Sequence, residues 1–213
     1  MARKVYDGPI RNKERTKKKL LDAVGEILTE EGYVELGVNR VMKQAKLDKK
    51  LLYEYFGGID GLITTYLREQ DYWLKYAERA KGVITGLPNQ NIKELTKSIL
   101  KDQLDYLDDN REMQQIVRWQ ISEKTEALQK ICEEREAVGA KLFSLFEPNF
   151  DGRNVDIEAE IAILVAGIYF LVLHAKVGNS LFCGIDLNEE DGKSRIHQAL
   201  DNMVERIYKN EKA

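Results

Sequence analysis

Residues 38–58 read VNRVMKQAKLDKKLLYEYFGG, and this stretch decides the fold. Val38, Val41, Met42 and Ala45 recur at i, i+3, i+4 and i+7, the apolar face of one short helix. Lys46-Leu47 interrupts that period, and Asp48 then stands where an N-cap side chain accepts from the first free amides of a second short helix, 49–56. Gly57-Gly58 closes it. At about 100° per residue, Leu52, Tyr55 and Phe56 share one side of the second helix, with Leu47 just before it. Lys50, Tyr53 and Glu54 lie on the other side, flanked by Lys49 and Leu51. Two short helices joined by a tight turn, behind a longer first helix, describe a helix-turn-helix. A plain helical hairpin with one charged face has the same pattern, so spacing alone leaves both readings open.

Upstream, Leu20, Val24, Ile27 and Leu28 form one face of a helix over 12–31, and Gly32 is its stop. Downstream, the periodicity predicts one long helix over 60–81, with Leu62, Tyr66, Trp73 and Ala77 on one face. Gly82, Gly86 and Pro88 mark a break. Further helices are predicted over 91–108, 111–121, 124–147, 155–178 and 188–210, with loops at Pro148 to Gly152 and Gly184 to Asn188. No stretch alternates like a strand and no repeat appears, so the predicted fold is all-α. The natural division is a helix-turn-helix domain over 1–59, with a basic amino-terminal arm, and a helical bundle over 60–213.

Composition narrows the chemistry. The 213 residues include two cysteines, Cys132 and Cys183, and two histidines, His174 and His197, with no zinc-ligand spacing among them. Both thiols read as small buried apolar groups in a reducing compartment. The longest apolar run, IAILVAGIYFLVL over 161–173, spans roughly 20 Å as a helix, short of the roughly 30 Å hydrocarbon core of a bilayer. It reads as a buried core helix, and with no secretion signal the expectation is a soluble cytoplasmic protein without a membrane partner. The net charge of −3 hides a gradient: residues 1–60 hold 13 Lys/Arg against 10 Asp/Glu, and the remainder 20 against 26. A basic end on an acidic chain suits a polyanion, although a solvated arm has the same composition.

The segment LLDAVGEILTEEGYVELGVNRVMKQAKLDKKLLYEYFGGIDGLI (20–63) resembles the DNA-binding domain of TetR-family transcriptional regulators, with "GVN" opening the second helix and "YxYFGGxDGL" following the third. The resemblance makes 49–56 a recognition helix. It implies that Lys49, Lys50, Leu51 and Tyr53 face the major groove or its phosphates, with Tyr55 a further backbone contact. Asn39, Arg40 and Lys43, with Thr16 and Lys17, would position the unit on phosphates, and Arg3, Lys4 and Arg11 would form an arm. Two positions depart from the family pattern. The turn is Ala45-Lys46-Leu47 where the family has Ala-Gly-Val, so Lys46 would store strain in a left-handed backbone or add a phosphate contact. Ile59 stands where many members carry lysine.

For the remainder the resemblance is architectural and implies a ligand-binding and dimerisation body. Helix 155–178 is apolar almost all round at its centre, and Ile196, Leu200, Met203 and Ile207 form a stripe on the last helix. The implied homodimer interface is Ile168, Leu171, Val172, Ile196, Leu200, Met203 and Ile207. Trp73, Tyr76, Tyr106, Trp119, Phe143, Tyr169, Phe170 and His174 are the pocket candidates for an apolar or aromatic effector of unknown identity, although aromatics at such spacing also build ordinary cores. No nucleophile–His–acid set, Gly-rich phosphate loop or metal set appears, so neither catalysis nor a cofactor is expected. The expected function is a ligand-responsive repressor, a homodimer on a palindromic operator, with helix 60–81 as the link between sites. The alternative is a helical adaptor of the same fold that has lost specific DNA binding.

Overall fold

The structure, a computed structural model, describes residues 9–80, 92–146, 150 and 155–209. Among these are ten α-helices: α1 (Pro9–Glu30), α2 (Val38–Ala45), α3 (Lys49–Phe56), α4 (Ile59–Gln70), α5 (Tyr72–Ala80), α6 (Ile92–Asp109), α7 (Arg111–Ser122), α8 (Glu126–Phe146), α9 (Ile157–Gly178) and α10 (Glu190–Lys209). A single 3-10 turn, Tyr33–Glu35, follows α1, and no strand occurs among the described residues beyond an isolated Phe182–Ile185 bridge. Arg3, Lys4 and most of the loops around Gly82 to Pro88 and Pro148 to Gly152 lie outside the described residues.

The chain divides into two compact units, Met1–Gln70 with Trp119–Cys132, and Asp71–Arg118 with Glu133–Ala213. In the first, Leu20, Val24, Leu28, Val41, Leu52, Leu62 and Leu67 are fully buried and pack α1 to α4 into one core. Each junction has a local cause. Gly32 stops α1 at φ +90°, and Gly57 caps α3 at φ +73°, the left-handed region that costs glycine least. Gly61 sits so close to the end of α3 that a Cβ there would meet the Phe56 carbonyl oxygen at 1.9 Å. Trp119 is buried here too, stacked on Tyr33 with ring centroids 5.6 Å apart.

The predicted helix 60–81 is two helices. Asp71, 1% exposed, interrupts it because its carboxylate takes two other tasks. It accepts from the Leu74 amide at 3.0 Å, so it caps α5, and it takes the Arg135 guanidinium, with Nε 2.5 Å from its Oδ2. An aspartate with such partners stabilises a helix start more than a helix interior.

In the second unit, α6 packs on α9 and α10 through Ile99, Leu100, Leu104, Ile168, Val172, Ile196, Leu200 and Val204. Charge joins the same helices. The Asp108 carboxylate receives Lys176 from α9 and Lys193 from α10, each at 2.8 Å. Burial pushes the Asp108 carboxyl up, but the two ammonium hydrogen bonds outweigh it and hold the group below the usual range. Lys93 and Lys97 hold Glu205 on α10 at 2.8 and 2.5 Å, and their hydrogen bonds bring its carboxyl down to about 2.

Helix α9 corrects the expectation of a core helix. Its 22 residues are apolar enough to cross a membrane by length and composition, and only 17% of the apolar window is buried. Ile168 and Val172 are sealed inside the unit, while Ile163 is 71% exposed, Phe170 52% and Val177 61%. Hydropathy reports that a helix resists water but not which neighbour excludes it. Both cysteines, expected as buried groups, are exposed.

Candidate nucleic-acid interface and ligand cavity

The turn between α2 and α3 has the geometry its sequence demands. Lys46 adopts φ +54°, ψ +45°, the left-handed conformation, and its amide closes α2 on the Met42 carbonyl. Asp48 caps α3 by accepting from the Lys50 amide at 2.7 Å. Leu52 is buried at 0% and anchors α3 by its inner face. The opposite face is solvent-exposed at Lys49, Lys50 and Tyr53, with Leu51 and Tyr55 at its half-buried margins. The Lys49 ammonium lies over the Tyr53 ring at 5.8 Å, and Lys13 of α1 lies over Tyr55 at 5.3 Å. α3 thus presents two ammonium groups and a phenol side by side on a rigid, capped helix, which suits phosphate and base-edge contacts.

The positioning residues divide. Asn39 and Lys43 are exposed on α2. Lys17 is 3.4 Å from Glu14, and the Thr16 hydroxyl donates to the Asn12 carbonyl at 2.8 Å. Arg40 is held in a fork. Its Nε and Nη2 both meet the Glu31 carboxylate, and its Nη1 donates to Gln44, which in turn donates to Glu26. The Arg40–Glu31 hydrogen bond lowers the Glu31 carboxyl and raises the Arg40 guanidinium. Arg40 therefore ties α2 to the end of α1, and a phosphate must share it with Glu31. The tie was invisible in sequence because it joins residues nine apart across an irregular turn.

In the second unit, α5, α6, α8 and α9 line a partly open cavity of about 560 Å³. Trp73 comes from α5, Thr96, Ile99 and Leu100 from α6, Arg135, Gly139 and Phe143 from α8, and Ile161, Val165, Ala166 and Tyr169 from α9. Several of its polar wall groups already have partners: Trp73 Nε1 donates to the Tyr169 hydroxyl at 3.2 Å within the wall, while Thr96 donates to the Ile92 carbonyl and Arg135 pairs with Asp71 behind it. Glu136 and Glu158 also line it and are exposed.

Of the expected pocket aromatics, Trp73, Phe143 and Tyr169 line this cavity. Tyr76 and Tyr106 instead pack around Tyr72, with centroids 6.1 and 5.4 Å from its ring. Trp119 belongs to the first unit, against Tyr33. Phe170 and His174 sit on another side of α9, clustered with Phe182, and His174 Nε2 is 2.9 Å from the Ser180 hydroxyl. Of the residues expected at a dimer interface, Ile168, Val172, Ile196, Leu200 and Ile207 are buried within the unit and Leu171 is half-buried, so only Met203, 45% exposed, offers itself to a partner. The open apolar stripe is Ile163, Gly167, Phe170 and Val177, at spacings of four, three and seven. Arg135 and the Asp71 pairing were the features that spacing missed; Asp71 ahead of Tyr72 was a legible cap signal. No group of metal-binding side chains occurs among the described residues.

No family model matches the chain, and no curated protein matches it. Solved structures do match in fold. The transcriptional regulator FadR from Bacillus subtilis, in complex with stearoyl-CoA, superposes with a TM-score of 0.64 at 14% identity, covering 91% of this chain and 98% of its own. FadR from Bacillus halodurans, a fatty acid degradation regulator, gives 0.63 at 17% identity, covering 86% and 97%. A TetR-like transcriptional regulator from Rhodococcus sp. RHA1 gives 0.60 at 16% identity, covering 90% and 94%. With its helix-turn-helix unit ahead of a cavity-bearing helical unit, this chain has the fold of the TetR-like transcriptional regulators.

Proposed function

We propose that this chain is a sequence-specific DNA-binding transcriptional regulator, a ligand-responsive repressor that binds a palindromic operator as a homodimer. The observation that carries the reading is the outer face of α3, where Lys49, Lys50 and Tyr53 stand exposed on a helix anchored by Leu52 and capped by Asp48. Within the first unit, α1 to α3 form the DNA-contacting part and α4 completes their core, with Asn39 and Lys43 as further phosphate contacts. The homodimer forms on the stripe Ile163, Gly167, Phe170 and Val177, joined by Met203, since exposed apolar surface of this kind marks an interaction site. The effector is largely apolar and occupies the cavity beside Trp73 and Tyr169. The stearoyl-CoA bound by the FadR neighbour supports an effector with a long apolar part. Binding shifts the population away from the operator-competent state.

Selection of bound sequences from a random duplex pool, at two salt concentrations, tests the reading. A palindromic motif is expected. The double variant Lys49→Ala with Lys50→Ala should lose about two phosphate contacts, lowering affinity and reducing the salt slope by roughly two, while sedimentation still reports a dimer. Binding without a motif, or an unchanged salt slope in the double variant, moves the assignment to a helical adaptor that has lost specific recognition.

A further inference from the structure

The charged side chains in the wall of the cavity are unevenly matched. Arg135 is taken by Asp71. Glu136 on α8 and Glu158 on α9 also line the cavity, stand exposed to solvent, and have no ionic or hydrogen-bonded partner among the described residues. Their own helices supply none. Cys132, Glu133, Gly139 and Ala140 flank Glu136 at three and four residues, and Ile161 and Ala162 follow Glu158 at the same spacings, so no lysine or arginine reaches either carboxylate along its helix. The neutral donors nearby are engaged: the Trp73 indole N–H donates to the Tyr169 hydroxyl and the Thr96 hydroxyl to the Ile92 carbonyl. An otherwise apolar wall thus carries two acceptor-only groups with nothing to accept from.

We propose that the ligand is an amphiphilic cation, with an apolar body in the cavity and an ammonium or amidinium end held by Glu136 and Glu158. The inference rests on the ligand-responsive reading and deepens it. A cavity of about 560 Å³ accommodates a drug-sized molecule. Because both carboxylates are exposed, the charged end stays at the mouth in contact with water, and only the apolar part is desolvated. Electrostatics sets the sign. A carboxylate or phosphate end would meet two like charges, and the guanidinium that could receive it belongs to Asp71, which is 1% exposed and would be left buried without its counter-ion. The rings of Trp73, Phe143 and Tyr169 in the same wall add faces that attract a cation and repel an anion.

Decylammonium, decanol and decanoate share one apolar chain and differ in the charge of its end. Each is titrated calorimetrically against the full-length protein near neutral pH at low ionic strength. Decylammonium should bind about fivefold more tightly than decanol, and decanoate about fivefold more weakly, since two exposed ion pairs together are worth about that factor. In about 1 M salt, where charges are screened over about 3 Å, the three affinities should converge to within about twofold. Glu136→Gln with Glu158→Gln should lose about fivefold for decylammonium and leave decanol binding unchanged. The whole chain carries a net charge of −3, so a double variant with the same change in charge, Glu123→Gln with Glu189→Gln, serves as control; both residues are exposed and outside the cavity wall, and it should keep the parent's affinity. Decanol binding as tightly as decylammonium, or equal decylammonium affinity in the two double variants, overturns the cationic assignment while the cavity remains a ligand site. No binding by any of the three probes removes the ligand cavity itself.

Discussion

The α3 face and the α9 surface show two ways of placing function on a helix. α3 is eight residues long, and its orientation follows from neighbours in sequence: a left-handed Lys46, a capping Asp48, a buried Leu52 and a left-handed Gly57. α9 is 22 residues long and is also capped, by Asp156 and a left-handed Asn179, but caps set where a helix ends and not which neighbour each side meets. Its apolar residues go to three destinations: Ile168 and Val172 to the core, Val165 and Tyr169 to the cavity, and Ile163 and Phe170 to solvent. Local chemistry orients the first helix. The second acquires its faces from its neighbours: α6, far before it in the chain, covers one side, and α5, α6 and α8 wall the cavity with it.

The comparison is broken most severely at Asp71. Asp71→Ala removes the α5 cap and leaves Arg135 without its buried carboxylate, so a loss of about 3–5 kcal/mol is expected in urea unfolding. A loss below about 1 kcal/mol would mean that the α5 start does not depend on this long-range pair. Gly61→Ala probes the local side. The added Cβ would meet the Phe56 carbonyl oxygen at 1.9 Å, so the start of α4 must shift, at about 1–3 kcal/mol. If the variant unfolds at the parent's midpoint, the approach of α3 to α4 is looser than described. Lys46→Gly sharpens the contrast with the opposite sign. Glycine takes the left-handed turn without Cβ strain, and a gain of about 1 kcal/mol is expected by thermal melting.

The smallest effect lies on α10. The Glu205 carboxyl is lowered from 4.5 to about 2 by Lys93 and Lys97, so its stabilisation is present above pH 4.5 and fades as pH falls through about 2. Glu205→Gln should therefore flatten the fall of melting temperature between pH 4.5 and 2. A variant whose melting curve tracks the parent across that window would show that the pair contributes nothing to folding.

Most of the first unit was legible. The observed bounds of α2 and α3 match the sequence reading, and the left-handed Lys46 is one of the two readings that its place in the turn left open. What escaped was the fork between Arg40 and Glu31, because it depends on how the turn after α1 brings two helices together. In the second unit the helices were legible and their partners were not. The helix 60–81 broke at an aspartate whose main partner lies 64 residues away. Five of the seven expected interface residues proved to be core, since an apolar stripe looks alike whether its own chain or a second copy covers it.

The amino-acid sequence by itself determined the all-α architecture, the helix-turn-helix and the exposed lysines of α3, because periodicity, capping and turn chemistry act over a few residues. Only the tertiary structure decided which aromatics wall the cavity and which face of α9 stays open. Those outcomes depend on packing between distant helices, where the free energy of burial depends on the neighbour and not on the residue alone.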